Sequence, residues 1–260
     1  MKANYHTHTD RCKHAKGKEE DYVKAAIDCG LSILGFSDHA PFPDTDFGLR
    51  MVYEELDDYL SCIDTMANRY GNQITLQKGL EIEYLPQYKG YYEWLLTEKK
   101  LDYLLLGEHF FYSGNGDFCN VFNVTTIPDT TCYLDYAKAV TDAMKTGLFK
   151  MVAHPDIFLM NPYAWDNNCE KAADSIIETA LITNTILEYN ANGLRREKKE
   201  YPDGIRHPYP HDNFWKKVSE TSIEVIVGSD CHTPELLWDT TVETAYRNLA
   251  SFGITPIHTI

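Results

Sequence analysis

What the chain lacks narrows it first. No apolar run approaches the ~18–20 residues that a membrane span needs, and the opening Met-Lys-Ala-Asn-Tyr-His-Thr-His-Thr-Asp has no apolar stretch of signal-peptide type. A membrane partner is therefore not expected, and the expected address is cytoplasmic. No block of basic residues occurs and the formal net charge is −15, which argues against nucleic acid as a partner gripped over a broad surface. The seven cysteines stand singly, odd in number and without a Cys-x-x-Cys pair. Neither a disulfide framework nor a thiolate zinc knuckle is expected from them, and Cys12 and Cys231 read as neighbours of ligands rather than ligands. No repeat, low-complexity tract or linker divides the 260 residues, so one domain over residues 1–260 is expected, long enough to bury a large core. Oligomeric state is left open.

What is present is alternation. Short apolar runs at Lys2–His6, Ser32–Phe36, Ile74–Ile82, Asp102–Gly107, Lys150–Ala153, Ile186–Tyr189 and Ile223–Val227 read as strands. Amphipathic stretches between them read as helices, near Glu19–Cys29, Tyr53–Tyr70, Gln87–Glu98, Cys132–Thr146, Cys169–Thr183 and Asp212–Glu220, with a last one at Thr241–Ser251. Such alternation implies an α/β protein with parallel β built from βα units. Seven units sit awkwardly in a flat sheet covered on both faces; a (β/α) barrel with one unit missing or distorted fits better. Residues 41–48, 111–128 and 195–211 are long for βα loops, and loops of that length usually shape or cover a site.

The polar residues fall in one place relative to these runs. His6 and His8 end the first strand, with His14 in the loop after it, and His39 ends the second. Glu81 and Glu83 close the third; His109 follows the fourth, His154 the fifth, and Asp230 and His232 the last. In a parallel barrel all strand C-termini open onto one face, so these residues converge on one bowl. Side chains two apart on an extended segment point the same way, which lets one ion take both imidazoles of a His-x-His pair. Any one motif alone is weak. Burying seven histidines and several carboxylates together without partners is costly, and metal ions satisfy nitrogen and oxygen donors at once. Of the remaining histidines, His211 and His258 read as solvated surface residues, while His207 stays a candidate because its loop is placed to roof the site.

In His6-Thr7-His8, Ser37-Asp38-His39, Gly79-Leu80-Glu81, Glu108-His109, Ala153-His154-Pro155-Asp156 and Ser229-Asp230-Cys231-His232 the chain resembles the polymerase-and-histidinol-phosphatase (PHP) family of metal-dependent phosphoesterases. The stretch Glu188-Tyr189-Asn190-Ala191-Asn192-Gly193-Leu194-Arg195 looks most like the stand-alone histidinol-phosphatase branch. The resemblance implies a distorted (β/α)7 barrel with the metal site at the C-terminal ends of the strands and three divalent transition-metal ions. One ion would take His6, His8, Glu81 and Asp230; a second would share Glu81 and add His109 and His154; a third would take His14, His39 and His232. Imidazole and carboxylate donors suit zinc, iron or manganese alike.

The implied reaction is hydrolysis of a small-molecule phosphate monoester, L-histidinol phosphate, by a hydroxide bridging two ions. Asp230 or a nearby histidine such as His232 is the expected donor of the leaving-group proton. Phosphate should meet an arginine: Arg195 matches the family pattern and is the first choice, Arg196 the second. The run Ile157–Asn161 carries no basic residue where relatives often have one. Glu83, Glu108 and Asp156, with Phe110, Phe111 and Tyr112, are placed to contact the amine and imidazole of the substrate. Asp38 and Asp156 either orient ligand imidazoles or cap turns. Two rivals stand beside this reading: a phosphatase or phosphodiesterase acting on nucleotides or phosphotyrosine, and a non-catalytic metal-binding module.

Overall fold

The computed structural model describes residues 2–260. Eleven strands follow in chain order: β1 (Ala3–Asn4), β2 (Ile33–Phe36), β3 (Thr75–Ile82), β4 (Tyr103–Leu106), β5 (Phe110–Tyr112), β6 (Phe118–Asn120), β7 (Met151–Val152), β8 (Ile186–Asn190), β9 (Lys199–Tyr201), β10 (Gly204–Arg206) and β11 (Val225–Gly228). The helices are α1 (Glu19–Asp28), α2 (Leu56–Tyr70), α3 (Lys89–Thr97), α4 (Cys132–Lys145), α5 (Asn167–Thr183), α6 (Ala191–Arg195), α7 (Asp212–Ser219) and α8 (Thr240–Ser251). Seven strands form one sheet in the order β1-β2-β3-β4-β7-β8-β11, with every pairing parallel. Spatial order equals chain order, so each βα crossover steps the same way and the sheet curls into a nearly closed α/β barrel, as the alternation predicted.

Two apolar layers hold it. Helix residues spaced three and four apart, such as Leu56, Tyr59, Leu60, Ile63 and Met66 of α2, bury one stripe against the outside of the sheet. All four residues of β4, Tyr-Leu-Leu-Leu, are buried, as expected for a strand covered on both faces. Inside, Ala3, Tyr5, Tyr103, Leu105, Met151, Ala153, Ile186 and Ile226 form a second cluster.

The barrel closes unevenly. At its upper rim the first and last strands meet directly: Thr7 bridges Cys231, and the His8 amide donates to the Cys231 carbonyl at 3.1 Å. Lower down, the apolar tail inserts instead. Ile257 bridges Ile226, its amide donates to the Val225 carbonyl at 2.8 Å, and Ile257 and Ile260 pack on the interior cluster.

Three features depart from the sequence expectation. The long loops over 111–128 and 195–211 are not purely irregular, because they carry the antiparallel hairpins β5–β6 and β9–β10. Helix α6 starts directly after β8, with the Asn190 side chain accepting from the Asn192 and Gly193 amides as its cap. Strand β1 is shorter than Lys2–His6, although the Lys2 and Thr7 carbonyls still accept from Ser32 and Ser37 on either side of it. Among the described residues no helix is long and apolar enough to cross a membrane.

Candidate metal centre

The carboxyl ends of the barrel strands open into one cavity of about 440 Å³. His14, His39, Glu81, His109, His154, Asp230 and His232 line it, while His6 and His8 lie fully buried beneath. All nine residues expected as metal donors are thus brought together. Glu81 is the hub. Its Oε2 lies 3.3 Å from His6 Nε2, 3.3 Å from His8 Nε2 and 3.0 Å from His39 Nδ1. Its Oε1 lies 3.4 Å from His109 Nε2 and 3.0 Å from His154 Nε2. Asp230 Oδ1 approaches His6, His8 and His232 at 3.6, 3.4 and 3.6 Å, and its Oδ2 accepts from the Asn190 and Asn192 side chains.

Hydrogen bonds on the far side of several rings fix which nitrogen carries a proton. His14 Nδ1 faces the Cys12 carbonyl at 2.8 Å and His232 Nδ1 the Asp230 carbonyl at 3.2 Å. A carbonyl only accepts, so both rings are protonated at Nδ1 and present bare Nε2 lone pairs. Those two Nε2 atoms stand 2.9 Å apart. Likewise His109 Nδ1 donates to Glu83 at 2.9 Å and His6 Nδ1 to Glu188 at 2.7 Å, which aims each Nε2 at a carboxylate. Lone pair facing lone pair is repulsive unless a cation sits between. Buried donors without any hydrogen-bond partner mark the same place: His6 Nε2, both nitrogens of His8, His154 Nδ1 and Glu81 Oε2. The set fits divalent metal ions, which accept nitrogen and carboxylate donors together.

The electrostatics agree. Burial works against charge on His6, yet Glu188, Asp230 and Glu81 outweigh it and lift the imidazole well above its ordinary value. Burial and the neighbouring His8 instead push His39 well below it. Glu81 and Asp230 are held well below the usual carboxylate range, because the surrounding imidazoles overcome the burial that would raise them. A cluster of this kind is built to contain positive charge. Two of its members sit in left-handed backbone, His154 at φ 31° and Asp230 at φ 47°, a conformation that costs non-glycine residues on the order of 1–3 kcal/mol and gathers at functional sites.

The expected substrate contacts fare unevenly. Arg195, first choice for phosphate, does not reach the cavity: its guanidinium donates to both oxygens of Asp239 at 3.0 and 3.1 Å, to the Ser229 carbonyl at 2.6 Å and to the Leu236 carbonyl at 2.9 Å. Arg196 lines the cavity instead, its guanidinium 5.7 and 5.6 Å from the ring centres of Phe122 and Tyr209. Glu108 also points away. It is fully buried, accepts from the Tyr84 amide at 2.9 Å, and burial raises its pKa well above the ordinary value. His207 hangs from the Arg196 carbonyl at 2.8 Å and borders a different cavity, beside β10 and α7. Glu83 reaches the site but is committed to Arg50, at 3.0 and 3.1 Å, and to His109. Phe110 lines the cavity, whereas Phe111 packs under it against Tyr136 and Tyr112 is exposed.

Asp38 and Asp156 turn out to brace loops. Asp38 accepts from the amide and hydroxyl of Thr9, and Asp156 from the His211 amide and the Trp215 indole. His211 is not a surface residue: it is 6% exposed, packs on Trp165 and caps α7. Residues absent from the sequence reading also line the cavity, among them Phe47, Leu49, Arg50, Phe122 and Tyr209. Only the unusual length of the loops that carry several of them pointed their way.

Known proteins share this architecture. A "Probable histidinol-phosphatase" of Deinococcus radiodurans is 29% identical over 233 residues, covering 88% of this chain and 85% of its own. The histidinol-phosphatase of Bacillus subtilis is 23% identical over 257 residues, covering 89% and 94%. In fold, the chain is similar to the histidinol phosphate phosphatase of Lactococcus lactis, solved with zinc, L-histidinol and phosphate, with a TM-score of 0.73 at 17% identity over 98% of this chain and 95% of that one. The PHP domain profile matches residues 4–192, which hold every expected metal donor except Asp230 and His232. Since that match takes in most of the sequence, the chain belongs to the PHP domain family.

Proposed function

We propose that the protein is a metal-dependent phosphomonoesterase that hydrolyses L-histidinol phosphate to L-histidinol and phosphate. One observation carries the metal chemistry: a single buried carboxylate, Glu81, with five imidazole nitrogens within 3.4 Å. The near-full-length similarity to proteins named histidinol-phosphatase supports the substrate. We assign three divalent transition ions, zinc, iron or manganese. Glu81 Oε2 joins His6, His8 and Asp230, Glu81 Oε1 joins His109 and His154, and His14 and His232 form the third group. His39 stands between the first and third groups, with Nδ1 near Glu81 and its ring stacked on His8 at 4.3 Å.

When bound, such ions acidify water and neutralise phosphoryl oxygens. The protein's own groups supply the rest. Arg196 replaces Arg195 as the phosphate contact, its planar guanidinium able to meet two oxygens. Asp230, with His232 beside it, lines the cavity and is the group placed to pass a proton to the leaving oxygen. Phe47, Phe110 and Phe122 give the cavity flat apolar walls that suit a planar heteroaromatic leaving group. The cytoplasm is the proposed location.

The test is phosphate release by the purified, metal-quantified protein from histidinol phosphate against nucleotides, sugar phosphates and phosphotyrosine. Chelator-sensitive turnover with preference for histidinol phosphate is expected. Preference for another ester keeps the metal chemistry and removes the substrate. Bound metal with no turnover of any ester refutes the enzyme reading.

A further inference from the structure

Glu188 is fully buried at the middle of β8, and none of the metal groups assigned above includes it. Its two oxygens nevertheless reach three donors. Oε1 lies 2.7 Å from His6 Nδ1; Oε2 accepts from the His154 amide at 3.1 Å and from Asn190 Nδ2 at 2.9 Å. The same Asn190 amide group donates to Asp230 Oδ2 at 3.1 Å. Strand β8 stands between β7, which leads into His154, and β11, which leads into Asp230, while His6 comes from β1. One carboxylate therefore ties three donor-bearing segments together, far apart in the chain.

The barrel makes room for it. A Cβ on Gly228, which pairs with Asn190 on the neighbouring strand, would overlap Glu188 Oε1 and Cδ and stand 2.8 Å from its Cγ. Gly228 is not in left-handed backbone, so the glycine is there for space rather than for conformation. The His154 amide, for its part, belongs to a residue held at φ 31°, and the hydrogen bond to Glu188 is one of the contacts that keeps it there.

We infer that Glu188 is the positioning residue of the metal centre: it locks His6 in the tautomer that leaves Nε2 bare and sets His154 and Asp230 at their distances from it. The inference rests on reading the bowl as a metal centre. Its chemical content is specific. A carboxylate accepts on both oxygens, so it satisfies the His6 ring N–H and the His154 backbone N–H together. The isosteric Glu188→Gln cannot. If its amide nitrogen faces His6, the ring must move its proton to Nε2 and loses the lone pair aimed at the site. If it faces His154, two N–H groups abut and the strained turn relaxes. Glu188→Asp keeps the charge but withdraws the carboxylate by one methylene, so it cannot span both partners.

The measurement is zinc affinity of the purified full chain, by competition with a chromophoric chelator, for wild type, Glu188→Gln and Glu188→Asp. Thermal melts of the metal-stripped proteins run alongside. Partners that orient metal-bound imidazoles cost roughly 10–100-fold in metal affinity when altered, and a loss of that size is expected in both variants, with stripped melting points within a few degrees of wild type. Nitrogen NMR of zinc-loaded, histidine-labelled protein should show His6 protonated at Nδ1 in wild type; in Glu188→Gln that proton is lost if the amide nitrogen faces His6 and kept if it faces His154. Wild-type affinity in Glu188→Asp would reduce the role to charge alone and overturn the inference, and so would wild-type affinity in Glu188→Gln. If the aspartate variant cannot be purified, the affinity of Glu188→Gln decides. A wild-type protein that binds no zinc, iron or manganese defeats the metal reading itself, whereas a wild type that binds zinc and turns over ester beside unaffected variants defeats only the role of Glu188.

Discussion

Replacing Gly107 by alanine puts a methyl group where Glu81 already is. Gly107 follows β4, next to the β3 strand that carries Glu81. A Cβ built there would overlap Glu81 Oε1 and lie 2.5 Å from both its Cγ and Cδ. Carbon atoms in contact prefer roughly 3.5–4.0 Å, so the carboxylate would have to retreat by about 1 Å or more. It has no room to do so without losing His109 and His154 on one side or His6, His8 and His39 on the other. Gly107 is not in left-handed backbone, so alanine brings no conformational strain, and the whole effect falls on Glu81. Overpacking of this kind costs about 1–3 kcal/mol of stability, while a misplacement of ~1 Å in a reacting constellation costs about 100-fold in rate. The expected Gly107→Ala protein is folded, poor in bound metal, and at least about 100-fold down in kcat/KM for histidinol phosphate. Elemental analysis, steady-state kinetics and a thermal melt read the three quantities. Gly90→Ala in α3 is the control, since its Cβ meets nothing within 4 Å, and it should be neutral or stabilising by up to ~1 kcal/mol. Full metal content and kcat/KM within a few-fold of wild type in Gly107→Ala would refute the placement of Glu81 as the hub.

The neighbouring arginines should separate cleanly. Arg196→Ala raises KM for the phosphate ester by roughly 10–100-fold, the worth of one charged hydrogen-bonding group, whereas Arg195→Ala leaves KM near wild type and lowers Tm, because it frees Asp239 and the turn at Ser229. Stripping the metal should lower Tm by on the order of 10 °C, as expected for ions present at about 1,000 times their dissociation constants, and zinc should restore it. His211 should add acid sensitivity. Burial, with a contribution from Arg206, lowers its pKa from 6.5 to about 4, so the unfolded chain binds the proton more tightly. Its stabilising contribution is complete above pH 6.5 and is lost as pH falls toward 4, by on the order of 3 kcal/mol. Denaturant midpoints across that range should fall less steeply in His211→Asn, which keeps a cap for α7, than in wild type; parallel curves would rule the residue out.

The metal donors were readable because all but His14, which lies in the loop after β1, ride at or just past the end of a strand, and strand ends are the best-marked points in an alternating α/β sequence. Once the strands are parallel, topology does the rest, and His6 meets His154 without any local signal linking them. The failures share a cause of the opposite kind. Arg195 and Arg196 are adjacent at the end of α6, and the partners that claim Arg195 lie 34 to 44 residues away, beyond any local pattern. Glu108 is different, since period-two alternation after β4 already sends it to the face opposite His109, and its assignment to the substrate pocket ignored that rule. His211 looked like a loop residue because its loop is polar, but Asp156 and Trp165 draw it inward from distant segments. The aromatic walls at Phe47 and Phe122 belong to loops whose course depends on packing, and sequence period says nothing about them.

The closing of the barrel by its last strand has a consequence in time rather than space. The strand leading to Asp230 and His232, and the Ile257 segment that fills the seam beside it, are synthesised after every other donor-bearing strand. A growing chain therefore displays His6-Thr7-His8 and Glu81 while the seam is still open and the last carboxylate has yet to be made. During that interval the early histidines are an accessible chelating surface for whatever ion is at hand, and the arrival of β11, which brings Cys231 against His8 with Asp230 and His232 beside it, is the step that turns an open chelator into a closed centre.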